Sequence, residues 1–256
     1  MSIALSAARQ PHVVEETNSL VDQPVAMRTD QRWRSYFRKV LTVAAKDLRI
    51  EMRAKEIIGV MAAFSILAVI IFGMAFDLRV PRSEMIAPGV LWGVLLFTGL
   101  LGLNRSFSAE LDRFTLLALL LTPVERSAIY LGKLLANLCF MLLTALMLLP
   151  VMLFIFDVNF FQPLVLITLF LGIFGYISVG TLFAALTASI RSRESMLPIL
   201  LLPVLAPLFM AGLKMTEMAI DARAVSVQNW LGMLLAFDLI FFTAALLVFD
   251  LIWEDV

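Results

Sequence analysis

"FSAELDRFTLLALLLTPVERSAIYLGK", residues 107–133, lies between two strongly apolar runs and carries Glu110, Asp112, Arg113, Glu125 and Arg126. Thr122-Pro123-Val124-Glu125 reads as a capping box with proline at the first helical position. The Thr122 hydroxyl would accept from the Glu125 backbone N–H, and the Glu125 side chain would reach back to the Thr122 N–H. The pattern predicts a helix that starts at Pro123 and meets no breaker before Pro150. Upstream, Ser108–Leu121 is too short and too charged to cross a bilayer. It is predicted to be a short helix lying along the membrane, with Glu110 and Asp112 complementing its N-terminus. A solvated loop is the other reading of the same charges.

The runs on either side set the fold class. The chain has 256 residues and is 61% hydrophobic, against about 45–50% for soluble domains. Six runs reach the length of about 20 apolar residues that a membrane helix needs. They are about 57–76, 86–103, 129–156, 163–190, 197–213 and 230–253. The chain is therefore read as an all-α polytopic membrane protein. Residues 1–31 mix Pro, Glu, Asp, Asn and Gln and lack an apolar signal core. They are expected to be a disordered cytosolic tail, and 32–256 the six-span membrane domain.

Lysine and arginine orient the spans. Sixteen fall on the side that holds both termini and residues 104–128, and four, Arg79, Arg82, Lys214 and Arg223, on the other. The positive-inside rule puts both termini, and the opening stretch, in the cytosol.

The chain offers no chemistry of its own. Gly132-Lys133 looks like the end of a phosphate-binding loop, but Ser127 and Leu134 stand where that loop needs glycine and a hydroxyl residue. Cys139 is alone, so it makes no internal disulfide or CxxC pair. His12, in the tail, is the one histidine, so the spans hold no imidazole for metal or haem. Formal net charge is zero, and total charge predicts no nucleic-acid partner.

Residues 32–56, "RWRSYFRKVLTVAAKDLRIEMRAKE", form an amphipathic helix. Trp33, Tyr36, Phe37, Val40, Leu41, Ala44 and Leu48 recur at helical spacing. Arg34, Arg38, Lys39, Lys46, Arg49 and Arg53 crowd the other faces. Such a helix is a membrane-surface anchor facing anionic headgroups, compatible with a cytosolic partner. Asp47 lies among these charges.

Pro198, Pro203 and Pro207 interrupt the fifth run, each removing a backbone donor. A broken, re-entrant helix lining a path and a kinked structural helix both fit. Beyond it, Lys214–Asn229 places Met215, Met218, Ala219, Ala222 and Val225 at helical spacing, which fits a separate interfacial helix or a loop. Asp238 lies inside the sixth run, where an acid is costly. It is a gating or pathway candidate, or a buried acid facing the bundle. Gly89-Val-Leu-Trp-Gly93 is a GxxxG pattern of the kind that lets helices approach closely.

Six spans, cytosolic termini, an amphipathic first helix and a charged segment after span two resemble the type-2 permeases of ATP-binding-cassette transporters. More narrowly, "FSAELDRFTLLALLLTPVERSAIYLGKLLANLCF" and "LPILLLPVLAPLFMAG" resemble the haem exporter protein B family, the permease of cytochrome c maturation system I. The resemblance covers about residues 35–256. Where family members often carry Asp-Gly, this chain has Asp112-Arg113-Phe114. The resemblance implies a non-enzymatic permease in a bacterial inner membrane, with ATP bound and hydrolysed on a separate ATPase subunit. It implies that Glu110, Asp112 and Arg113 contact that subunit, with Arg105 and Arg126 near the edge. The elbow helix would carry Arg38, Lys46, Asp47, Arg49 and Arg53. Further partners would be other cytochrome c maturation membrane proteins, including a haem-handling one. Haem would be a transported or partner-bound species, with no cofactor on this chain. Three other readings compete: a permease for another substrate such as a lipid or drug, a proton-coupled transporter using Asp238, and a membrane scaffold.

Overall fold

The computed structural model describes residues 29–76, 83–111, 125–187, 193–221 and 227–252. Seven helices fill them: α1 Thr29–Ala54, α2 Glu56–Ala75, α3 Ser83–Leu111, α4 Arg126–Phe156, α5 Pro163–Thr187, α6 Arg193–Ile220 and α7 Val227–Ile252. No strand occurs among the described residues. Six of these helices, α2 to α7, are long and apolar enough to cross a membrane. Residues 1–28 of the expected tail lie outside the described residues, and Thr29–Gln31 of that tail already belong to α1. Two compact units divide the chain between Tyr36 and Phe37. The second, Phe37–Val256, carries everything that follows.

α5 is the centre of the bundle. It packs against α3, α4, α6 and α7, while α2 packs against α3 and α4. An apolar bilayer gives helices no hydrophobic reason to associate, so close approach at small residues does the work. The seating is specific. Trp92 on α3 lies in the space left by Gly172 of α5 and Gly212 of α6; Tyr176 on α5 lies over Gly99 of α3; Leu103 lies over Gly180, and Met61 of α2 over Gly102. The polar tips of these rings are also satisfied. Trp92 Nε1 donates to Thr216 Oγ1 at 3.0 Å, Tyr176 Oη to the Leu96 carbonyl at 2.7 Å, and Tyr130 Oη to the Ser178 carbonyl at 2.9 Å. Each bond pins a different helix pair.

Three sequence expectations change, and of the two readings of the fifth span the unbroken structural helix is the one observed. Gly89 and Gly93 are not approach points: a Cβ on Gly93 would meet nothing within 4 Å, and one on Gly89 only a Leu213 methyl at 4.0 Å. The glycines that seat side chains have no GxxxG spacing toward a partner helix. The fifth span is one continuous helix through Pro198, Pro203 and Pro207. Its buried stripe is Leu197, Leu201, Leu205, Leu208, Ala211, Met215 and Ala219, and the prolines stand off that stripe, with Pro203 exposed. Pro198 and Pro207 are half-buried, so these rings flank the packing stripe rather than interrupt it. Lys214–Ile220 is the end of α6 rather than a separate interfacial helix, because Met215 and Ala219 continue the packing stripe. Finally, α4 starts at Arg126, not Pro123. Glu125 has an extended backbone, φ −59° and ψ 134°, and makes no side-chain cap bond.

Candidate functional site

The charged positions gather at the end where α1 turns into α2, α3 finishes and α4 begins. The turn is built by two residues. Lys55 adopts a left-handed backbone, φ 53° and ψ 27°, and breaks the helical direction between α1 and α2. Glu51, buried near the end of α1, then turns its carboxylate onto the start of α2. Its Oε1 accepts from Ile57 N at 2.6 Å and from Ile58 N at 2.9 Å. A helix N-terminus leaves amides without partners and carries partial positive charge, so a carboxylate there satisfies both needs.

α1 is held against α4 by a second device. A Cβ on Gly132 would stand 2.6 Å from Val43 Cβ and 3.1 Å from the Val40 carbonyl. Only glycine lets α1 come this near. Beside it, Lys133 Nζ meets Asp47 Oδ2 at 2.8 Å, with the side chains 4% and 12% exposed, respectively. Lys46 lies 3.2 Å from the other oxygen of Asp47. The Gly132-Lys133 pair that resembles a phosphate loop in sequence is thus the seat and the anchor of the elbow helix. A third tie joins α3 to α2: Arg105 Nη2 donates to Glu56 Oε2 at 2.8 Å, both exposed.

These ties place the expected contact residues. Arg105 stands near the end of α3, paired with the first residue of α2, and Arg126 is the first residue of α4. Glu110 lies in the last turn of α3, because Ser108–Leu111 continue that helix instead of starting a surface helix. Asp112, Arg113 and Thr122, with its half of the capping box, lie outside the described residues. The elbow residues Arg38, Arg49 and Arg53 are exposed on α1, while Lys46 and Asp47 turn toward α4.

Asp238 lies apart from this cluster, midway along α7. It is 5% exposed, its Oδ1 fills the space above Gly175 of α5, and Leu208 of α6 closes the same spot. Neither carboxylate oxygen has a hydrogen-bond partner among the described residues.

Sequence reasoning missed Glu51, Glu56 and Lys133. Lys133 carried a signal: a lysine inside an apolar run implies a partner. Glu51 carried none, since no capping pattern reaches across a left-handed residue to the next helix.

The sequence pattern of the CcmB protein family matches residues 38–251. Heme exporter protein B of Rhodobacter capsulatus is 29% identical over 192 residues, covering 72% of this chain and 84% of that protein. Heme exporter protein B of Haemophilus influenzae is 28% identical over 181 residues, covering 70% and 81%. The match starts just inside α1 and ends in α7, so it takes in the elbow, the Gly132-Lys133 seat and all six spans: the chain belongs to the CcmB protein family.

Proposed function

We propose that this protein is the permease component of a haem exporter serving c-type cytochrome assembly. The family membership and the two heme exporter relatives support it. The observation that carries the mechanism is the junction of α1, α2, α3 and α4. The segment between Leu111 and Glu125 is flanked by the ends of α3 and α4. Arg105–Glu56 ties α3 to α2, Asp47–Lys133 ties α4 to α1, and Glu51 ties α1 to α2. A push on that segment from an ATPase subunit would therefore reach all four helices at once. Rigid helices joined by short charged contacts transmit displacement, whereas a lone loop would absorb it.

In this reading Glu110, Asp112 and Arg113 contact a separate ATPase subunit, with Arg105 and Arg126 at the rim. ATP stays on that subunit. The protein resides in a bacterial inner membrane with residues 1–31 and the C-terminus in the cytosol. Haem passes through or along the complex, and the imidazoles that ligate it belong to other maturation proteins, since the spans hold no histidine. Pro198, Pro203 and Pro207 supply a helix with fewer internal hydrogen bonds, suited to bending during the cycle.

Co-purification from mild detergent tests the coupling. The wild type is expected to bring an ATPase subunit with it. Glu110→Ala/Asp112→Ala is expected to lose that subunit while remaining folded. A folded wild type that never carries an ATPase removes the reading.

One observation favours a second reading. The unpartnered Asp238 carboxylate suits a proton-coupled transporter with its site between α5, α6 and α7. Uptake or efflux driven by a proton gradient without any ATPase, and abolished by Asp238→Asn, would select it.

A further inference from the structure

A single residue, Lys55, separates α1 from α2, and its backbone is left-handed, φ 53° and ψ 27°. Among the described residues the other non-glycine residue with positive φ is Asp157, which closes α4. Around Lys55 the helical bonding is nonetheless almost intact. Its N–H donates to the Glu51 carbonyl at 2.6 Å, and its carbonyl accepts from Gly59 N at 3.2 Å. Both are the i to i−4 bonds of an α-helix. A continuous helix would bond the amides of Ile57 and Ile58 to the carbonyls of Arg53 and Ala54. Here both go to the Glu51 carboxylate instead, at 2.6 and 2.9 Å. One side chain stands in for two helical acceptors. Returning Lys55 to right-handed values would give the two amides their carbonyls and join α1 and α2 end to end.

Packing decides which helix would move. α2 pairs closely with α3 and α4, whereas α1 forms no comparable pair among the described residues. Arg105 also holds the first residue of α2 to α3. Residues 52–56 are all exposed, so the turn can change without disturbing a packed side chain. α1 meets the bundle where Val43 lies over Gly132 and where Asp47 pairs with Lys133. Both receiving residues are on α4, one directly after the other. A left-handed backbone is unfavourable for any residue with a side chain. The bent form therefore depends on what α4 and the Glu51 carboxylate offer in return.

We propose that Lys55 is a hinge by which α1 clamps or releases the Arg126 end of α4. In the bent form α1 holds that end through Gly132 and Lys133. In the joined form Lys55 is right-handed and α1 continues the axis of α2. Val43 and Asp47 then leave α4, whose first turns are free to move. Joining uncovers Val40, Val43 and Ala44, which are buried in the bent form, so the bent form is the major one. The parts are those of a two-state element: one residue whose backbone changes, and two alternative sets of acceptors for the same amides. That an ATPase drives the exchange rests on the proposed function; the exchange itself does not.

Pulsed electron spin resonance on the protein in nanodiscs tests the exchange with no ATPase present. In a Cys139→Ala background, labels at Arg38→Cys and Ser195→Cys report the position of α1 against α6. About 25 Å of helix separates residue 38 from the hinge, at about 1.5 Å per residue, so the two forms give distinct distances. A major and a minor distance are expected. Glycine takes the left-handed backbone freely and is a poor helix residue, whereas valine resists the left-handed region and is the better helix residue. Lys55→Gly should therefore deplete the minor form and Lys55→Val enrich it, each by about fivefold in the ratio of the two. Lys133→Met, which removes the anchor on α4, should enrich it with the hinge untouched. A second pair of labels, at Leu146→Cys on α4 and Leu247→Cys on α7, should read the same distance in every variant. If Lys55→Val alters that pair, it has disturbed the bundle, and Lys55→Gly and Lys133→Met decide. One α1–α6 distance shared by the reference and all variants overturns the hinge. So does a shift of the same sign for glycine and valine, which would place the effect in the lysine side chain rather than in its backbone.

Discussion

At the elbow end, α1 to α4 are joined by charges: Glu51 on the amides of α2, Glu56–Arg105, and Asp47–Lys133. Across the middle, α3, α5 and α6 are joined by rings and aliphatic side chains set into glycines, with hydroxyl and indole tips bonded to a neighbouring helix. The two regions face different solvents. Near the headgroups an ion pair keeps some hydration and its partners can be charged. In hydrocarbon a charge costs several kcal/mol, so association rests on shape and neutral hydrogen bonds. Asp238 is the exception in the middle. The contrast also suits a moving part: glycine seats hold one geometry tightly, while charged contacts at an interface can be strained and re-formed.

The sharpest way to break this contrast is to remove the cation of the buried pair. Lys133→Met leaves Asp47 between α1 and α4 with Lys46 as its remaining ion-pair partner among the described residues. Breaking a buried pair costs about 3–5 kcal/mol, and Lys46 should hold the loss near about 3 kcal/mol. The unfolding midpoint in nanodiscs reads it. Asp47→Asn/Lys133→Met should recover most of the loss, because no unpaired charge remains. A single variant no worse than the double one would mean that the pair does not hold the elbow.

That pair also shows where the sequence stops being legible. Six spans could be read because composition over about 20 residues survives any detail of packing. The elbow helix could be read because its period is local. The partner of Asp47 is 86 residues away, and nothing near either residue names the other. The glycines make the same point. The spacing at Gly89 and Gly93 drew attention, yet both face open space, while Gly99, Gly172, Gly175 and Gly212 seat side chains from other helices. Which glycine is used depends on which large residue arrives opposite it. The start of α4 was missed for a different reason: the Thr122–Glu125 pattern predicts a cap, but Glu125 itself is extended.

In the middle, alanine substitution separates seats from open glycines. Gly99→Ala puts a methyl into the Tyr176 ring, and Gly175→Ala into the Asp238 carboxylate. Each should destabilise by about 1–3 kcal/mol. Gly93→Ala meets nothing and should be neutral or stabilising by up to about 1 kcal/mol, the helix propensity gained. Equal midpoints for Gly99→Ala and Gly93→Ala would end the claim that these contacts hold the bundle.

Glu51 sharpens the other side. Glu51→Ala removes the acceptor for Ile57 and Ile58 and should cost about 1–2 kcal/mol, the upper range for a helix cap. Glu51→Gln keeps an oxygen in place and should cost less. If Gln and Ala were equally harmful, the charge against the α2 terminus, and not the two hydrogen bonds, would be the larger contribution.

The smallest effect on stability belongs to Arg105, and its smallness is what makes it useful. Its bond to Glu56 is short, but both side chains are open to solvent, 44% and 63% exposed. Exposed pairs contribute about 0–1 kcal/mol and weaken with salt. Arg105→Gln should therefore leave the unfolding midpoint within about 1 kcal/mol of the wild type. Asp47–Lys133 and Glu51 would still hold the junction, so a folded protein is available for the second measurement. If Arg105 lies at the rim of an ATPase contact, the variant should recover less of that subunit on co-purification despite its unchanged midpoint. Charge reversal, Arg105→Glu, should reduce recovery further by repelling the same surface and Glu56 together. Full recovery with both variants would confine Arg105 to the α2–α3 tie and leave any contact with the ATPase to Glu110, Asp112 and Arg113.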